Sequence, residues 1–157
     1  MAVSIYIKMP AGIKGEAEQA GHEEEIAATS LQWGASRSIS IATSGRETGL
    51  AMISDMTFTK SLDSSSSDLF KACSLATPLD EIVITFRKDA GDASMDYLIY
   101  TLTDSLISGY SLSAGGDTPM ESVSISFIKI KAVYKKQATD HSSASDHEFE
   151  YNLRARV

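Results

Sequence analysis

Apolar and polar residues alternate with a period of two through most of the chain. Val3, Ile5 and Ile7 alternate with Ser4, Tyr6 and Lys8, and Ile82, Ile84 and Phe86 alternate with Val83, Thr85 and Arg87. That period sends successive side chains to opposite faces and predicts strands with one buried face. Leu98, Tyr100, Leu102, Leu106, Tyr110 and Leu112 share one phase, which predicts a long strand bent near Gly109. Val123, Ile125 and Phe127 hold one phase and Ile128 and Ile130 take the other. A slip of one residue predicts a β-bulge, since the apolar set would otherwise turn to the wrong face. Phe149, Tyr151, Leu153, Ala155 and Val157 predict a last strand with a single apolar face.

One segment breaks this period. In Asp63 to Pro78, serines precede an apolar run, Ser65 and Asp68 form an S-x-x-D cap signal, and Pro78 supplies a stop. This predicts a helix with Leu69, Phe70 and Cys73 on one face. Two segments read as loops: Ala42 to Leu50, with two glycines and opposite charges, and the polar run Asp140 to Asp146. Neither is long enough to separate domains, and no internal repeat occurs. The expected architecture is a single domain over residues 1–157, mainly β, an antiparallel barrel-like fold of two sheets with one short α-helix.

Length and charge narrow the classes of function. A chain of 157 residues suits one domain that buries roughly 70% of its unfolded surface. The single cysteine, Cys73, excludes an internal disulfide and a multi-cysteine zinc site. Fourteen basic against 21 acidic residues give a net charge of −7, which repels phosphate and argues against a nucleic-acid partner. The start MAVSIYIKMPAG has neither a basic n-region nor an unbroken apolar stretch, so it is not read as a secretory signal. No run of about 20 apolar residues occurs, so no membrane insertion is expected.

Candidate chemistry is thin. GHEEEI, from Gly21, has a histidine beside three glutamates, but a zincin helix needs a second histidine four residues on, and Ile26 stands there. Adjacent glutamates do not make the opposed carboxylates of glycoside hydrolysis. The segment reads as a polar lead-in to a strand. Cys73 has no histidine motif beside it and reads as a small apolar packing residue. No nucleophile elbow and no phosphate-binding glycine loop occurs; GDTP and AGGD read as turns. No cofactor is expected. Trp33, the one tryptophan, reads as a core or interface residue. The Ser/Thr content of the strands leaves several strand faces polar yet uncharged, suited to contact with water and with other proteins.

Read together, IYIKMPAGIKGEA, GHEEEI, LQWG, DMTFTKSLDSSSSDLFKACSLATP, EIVITFRK and MDYLIYTLTDSLISGYS resemble the Hcp family, tube proteins of the bacterial type VI secretion system. The stretches follow the family order over nearly the whole chain. The resemblance implies a non-enzymatic protein that assembles into homohexameric rings stacked as a tube inside a contractile sheath. A VgrG-type spike caps that tube, and small effector proteins ride, chaperoned, in its lumen. It also implies assembly in the bacterial cytoplasm followed by release without a cleavable signal. The family places a lumen-facing residue at the Gln32 position, and Ser30 shares its face by alternation. The segment Gly45, Arg46, Glu47, Thr48, Gly49 and Leu50 is expected to project as a ring assembly or stacking loop. Arg46 and Glu47 depart from glycine-rich relatives there. The competing reading is a monomeric β-sandwich that binds a ligand such as a carbohydrate; a small hydrolase lacks any supporting constellation.

Overall fold

A computed structural model describes residues 2–89, 94–137 and 143–157. In chain order the elements are β1 (Ala2–Lys8), β2 (Ile26–Ala28), β3 (Ser30–Gln32), β4 (Ala35–Ala42), β5 (Gly45–Ile53), β6 (Met56–Ser61), α1 (Ser66–Ser74), β7 (Leu79–Asp89), β8 (Met95–Ser113), β9 (Met120–Ser126), β10 (Lys129–Gln137) and β11 (Ser143–Asn152). The strands hydrogen-bond in the order β2-β1-β7-β8-β9-β6-β3, with β10 and β11 added beside β8. Every pairing is antiparallel. Only Thr29 separates β2 from β3, so this nearly continuous segment touches both ends of the path and closes a barrel. The Thr29 amide donates to the Thr59 carbonyl at 2.7 Å and seals the junction.

β8 is the long strand that the alternation predicts, and it serves two sheets. Its first half pairs with β7 and β10, its second half with β9. The alternation is reset earlier than Gly109: Asp104 has φ 54°, Leu102, Ser105 and Ile107 are buried, and Leu106 turns outward. A second irregularity follows between Ile107 and Gly109. The slip at Phe127 and Ile128 is a crossing, not a bulge. There β9 ends, and β10 begins beside the other half of β8. Phe127, in the link between the two strands, and Ile130, on β10, both stay buried.

The inward residues make one core that includes Ile7, Ile26, Met56, Phe58, Leu69, Ile82, Ile84, Leu102, Val123 and Ile125. Helix α1 is shorter than expected, and its buried residues are Ser66, Leu69 and Ala72. Phe70 is 59% exposed, so it does not share the buried face with Leu69. Ser65 makes no side-chain cap. Asp63 takes that role: its Oδ1 accepts from the Ser65 amide at 2.9 Å, and its own amide donates to Ser66 Oγ at 3.1 Å.

The last strand also stops early. At Asn152 the side-chain oxygen accepts from the amides of Arg154 and Ala155. The chain curls, and Val157 is 79% exposed. Of the segment expected as a loop from Asp140 to Asp146, residues 143–146 begin β11, while His141 lies outside the described residues.

Candidate functional site

The segment expected as a loop from Ala42 to Leu50 is a β-hairpin. β4 and β5 form a sheet of their own, joined by Thr43 and Ser44, with Ala42 opposite Gly45 at the tip. Gly45, at φ 135°, supports the tight reversal, a conformation that a side chain disfavours. Gly49 is not in the turn: it lies within β5, where a Cβ would meet Ser38 Cβ at 3.3 Å. All of β4 is exposed, as are Gly45 to Leu50, so the arm stands clear of the barrel.

The register gives the arm two unlike faces. Ala35, Arg37, Ile39 and Ile41 oppose Ile53, Ala51, Thr48 and Arg46, while Ser36 and Ser40 oppose Met52 and Glu47. Cross-strand partners share a face. One face is therefore apolar with two arginines, and the other is rich in serine. The apolar face meets β10 and β11 across a groove of about 270 Å³, lined by Trp33, Ala35, Arg37, Ala51, Ile53, Ile130, Ala132, Phe149 and Tyr151. Trp33 packs against the core and meets the edge of Tyr100 with ring centroids 5.5 Å apart.

Ser30 and Gln32 are exposed, while Leu31 and Trp33 are half-buried and packed on the core. Their face continues across the sheet. Ser30 opposes Thr59, and Gln32 opposes Thr57. Thr57 and Thr59 in turn oppose Ser124 and Ser122, which oppose Gly109 and Ser111. Four adjacent strands thus present hydroxyls, an amide and a glycine, with no charge among them. Neighbouring hydroxyls bond to one another: Ser30 with Thr59, and Thr57 Oγ1 with Ser124 Oγ at 3.0 Å.

Behind that face lies a buried ionic cluster that sequence reading missed. Lys60 and Glu121 are fully buried, and Lys60 Nζ donates to Glu121 Oε1 at 2.5 Å and to Asp63 Oδ1 at 2.8 Å. Glu121 also accepts from Ser66 Oγ at 2.6 Å and from the Tyr110 hydroxyl. Burial alone would raise the Glu121 pKa. Hydrogen bonds from Lys60, Ser66 and Tyr110, with the Lys60 charge, outweigh it and hold the carboxyl below its ordinary value. Burial and the adjacent carboxylate push Tyr110 up to about 12. The signal was present: Lys60 is in phase with Met56 and Phe58, and Glu121 with Val123 and Ile125, so the alternation aims both charges inward.

The histidine of GHEEEI is more than a piece of polar lead-in. His22 is 6% exposed and stacks on Tyr6 with ring centroids 4.7 Å apart. Its Nδ1 stands 3.0 Å from Glu25 and its Nε2 stands 3.2 Å from Asp96, which also accepts from Arg87 Nη1. Glu23 and Glu24 are exposed, as a lead-in requires. The cluster ties the segment before β2 to Asp96 of β8 and, through it, to Arg87 of β7. Among the described residues no group of three His, Cys, Asp or Glu side chains could hold a metal ion, and no helix is long and apolar enough to cross a membrane.

Comparisons with known proteins agree with this geometry. The family described as "Type VI secretion system effector, Hcp" matches residues 6–134. The chain is 33% identical to the protein hcp1 of Pseudomonas aeruginosa, over 100% of this chain and 99% of that protein. The crystal structure of Hcp1 from Salmonella typhimurium aligns with a TM-score of 0.81 at 26% identity, over 99% of this chain and 97% of that one. A solved type six secretion system protein aligns with a TM-score of 0.90 at 23% identity over 99% of both chains, a likeness of fold.

Proposed function

The chain belongs to the Hcp family of the type VI secretion system, and from that membership we propose that it is a subunit of the inner tube. In this reading six copies close into a ring and rings stack. Small effector proteins ride in the lumen, a VgrG-type spike caps the tube, and a contractile sheath surrounds it. The tube leaves the cell without a cleavable signal.

The uncharged hydroxyl face of β3, β6, β9 and β8 is the observation that carries the cargo aspect of this reading. A channel that accepts varied proteins and later releases them needs weak, adaptable contacts. A large apolar patch would hold cargo, and a field of one sign would exclude half of it. Hydroxyls and the Gln32 amide both donate and accept, so they exchange readily with water. Ser30 and Gln32 lie at the β3 end of this face and are proposed as lumen residues. The projecting hairpin, with Gly45, Arg46, Glu47, Thr48, Gly49 and Leu50 in its outer half, is proposed as the assembly element. A ring uses two different patches of each copy, and closure of the rotation ends growth.

Native mass spectrometry tests the reading. A hexamer is expected, and it should survive chelation because assembly asks nothing of a metal. A monomer or dimer that persists across concentrations contradicts it and favours a ligand-binding β-sandwich.

A further inference from the structure

We infer that a depression at one border of the hydroxyl face, where β3 ends and β6 begins, takes a basic side chain of the cargo, with Asp55 as its counter-ion. This rests on the tube reading above and assigns the chemistry by which the lumen selects among proteins.

Asp55 immediately precedes β6, two positions ahead of Thr57. The buried Met56 between them keeps both on the outward side. The carboxylate therefore prolongs the row of Thr57 and Thr59, on a face that is otherwise uncharged. The neighbouring strand brings Gln32, which pairs with Thr57. Gln32, Trp33, Ser54, Asp55 and Thr57 together line a depression of about 480 Å³. Its walls are held in place. The Gly34 amide donates to Ser54 Oγ at 2.9 Å, and the Ser54 amide donates to the Gly34 carbonyl at 2.9 Å. Thr57 Oγ1 is tied to Ser124 Oγ, and Ser108 Oγ donates to Asp55 Oδ2 at 2.7 Å.

The depression is rich in acceptors that nothing occupies. Asp55 is exposed and has no cationic partner among the described residues, and the Gln32 side chain makes no hydrogen bond among them. Ser108 takes only one of the lone pairs that a carboxylate offers. A guanidinium or an ammonium brings several donors, no acceptor and the opposite charge, so it suits this set. The half-buried Trp33 supplies an aromatic wall for the methylene stem and for the cation. An acidic side chain is repelled here, and a neutral amide gains no ion pair. One carboxylate at the border, beside an uncharged face, biases the choice of cargo without closing the lumen to neutral surfaces. The site recurs in every copy of a closed ring, so individually weak contacts add through multivalency.

Fluorescence anisotropy with labelled octapeptides at low salt tests the site. One peptide alternates arginine with serine; the others carry glutamine or glutamate in place of arginine. The assembled parent should bind the arginine peptide best and the glutamate peptide least. Asp55→Asn should weaken the arginine peptide by about fivefold and leave the glutamine peptide unchanged. Asp55→Lys should transfer the preference to the glutamate peptide. Glu16→Gln removes an equal charge from an exposed position between β1 and β2 and should keep the parent's affinity. Sedimentation velocity should show the same assembled species in every variant. Equal losses in Asp55→Asn and Glu16→Gln would report only the overall negative field and overturn the inference. So would a parent that does not distinguish the peptides, an Asp55→Lys variant that still prefers arginine, or an Asp55→Asn variant that dissociates, which places Asp55 in an interface. A parent that stays monomeric yet shows the expected peptide pattern overturns the tube reading instead and leaves the basic-side-chain site standing.

Discussion

Lys60→Met isolates the energetic role of the buried cluster. The substitution keeps the volume and removes the ammonium, which reaches Glu121 at 2.5 Å, Asp63 at 2.8 Å, Ser66 at 3.2 Å and the Ser61 carbonyl at 3.3 Å. Asp63 keeps the amide and hydroxyl of Ser65. Glu121 keeps Ser66 and Tyr110 but becomes a buried charge with no counter-charge. Breaking one side of a buried pair in this way costs about 3–5 kcal/mol. With a urea slope of about 2 kcal/mol per molar, the unfolding midpoint should fall by about 1.5–2.5 M at fixed protein concentration. Removing the stranded charge as well, in Lys60→Met with Glu121→Leu, should return most of that loss. The two changes are therefore strongly non-additive. A single-variant shift below about 0.5 M, or a double variant at least as unstable as the sum, would refute the assignment of Lys60 as the counter-ion.

Four further outcomes follow from particular contacts. Because the Glu121 carboxyl is depressed when folded, its contribution is present above the ordinary value of 4.5 and is lost as pH falls below it; Glu121→Gln should flatten the acid limb of a stability–pH curve. Tyr110 is raised from 10.0 to about 12, so its contribution is full below pH 10 and fades as pH rises through 12; Tyr110→Phe should remove that alkaline limb, and phenolate absorbance follows the titration. At Gly15 a Cβ would sit 2.5 Å from the Glu25 carbonyl oxygen and 2.7 Å from Ile26 Cα; Gly15→Ala should destabilise by about 1–3 kcal/mol through forced backbone movement, read by thermal melting. Gln32→Arg should leave the oligomer intact and lower effector stability in the secreting cell; a broken oligomer would move Gln32 to an interface, and unchanged effectors would remove it from the cargo surface.

Strand alternation makes most of the barrel legible, because each strand buries only one face. It fails where the chain changes sheets. At Phe127 and Ile128 a crossing and a bulge leave the same one-residue slip in the sequence, and only the partner strands distinguish them. At Asp104 the positive φ inverts the phase without any glycine to signal it. The hairpin reads as a loop because its strands are exposed on both faces, so no core selects an apolar phase and Gly49 mimics a turn. The resemblance of LQWG points to Ser30 and Gln32, but the hydroxyl face around them emerges only when β3, β6, β9 and β8 lie side by side. Lys60 and Glu121 are legible in phase, yet composition rules assign charges to the surface, and the pair sits 61 residues apart in sequence.

Negative-stain electron microscopy of the purified protein is the most direct measurement of the central claim. Closed six-membered rings with a central hole, some of them stacked, are expected in buffer containing chelator and no nucleotide. A field of single compact particles without a hole, at concentrations up to those at which the protein is soluble, would contradict it.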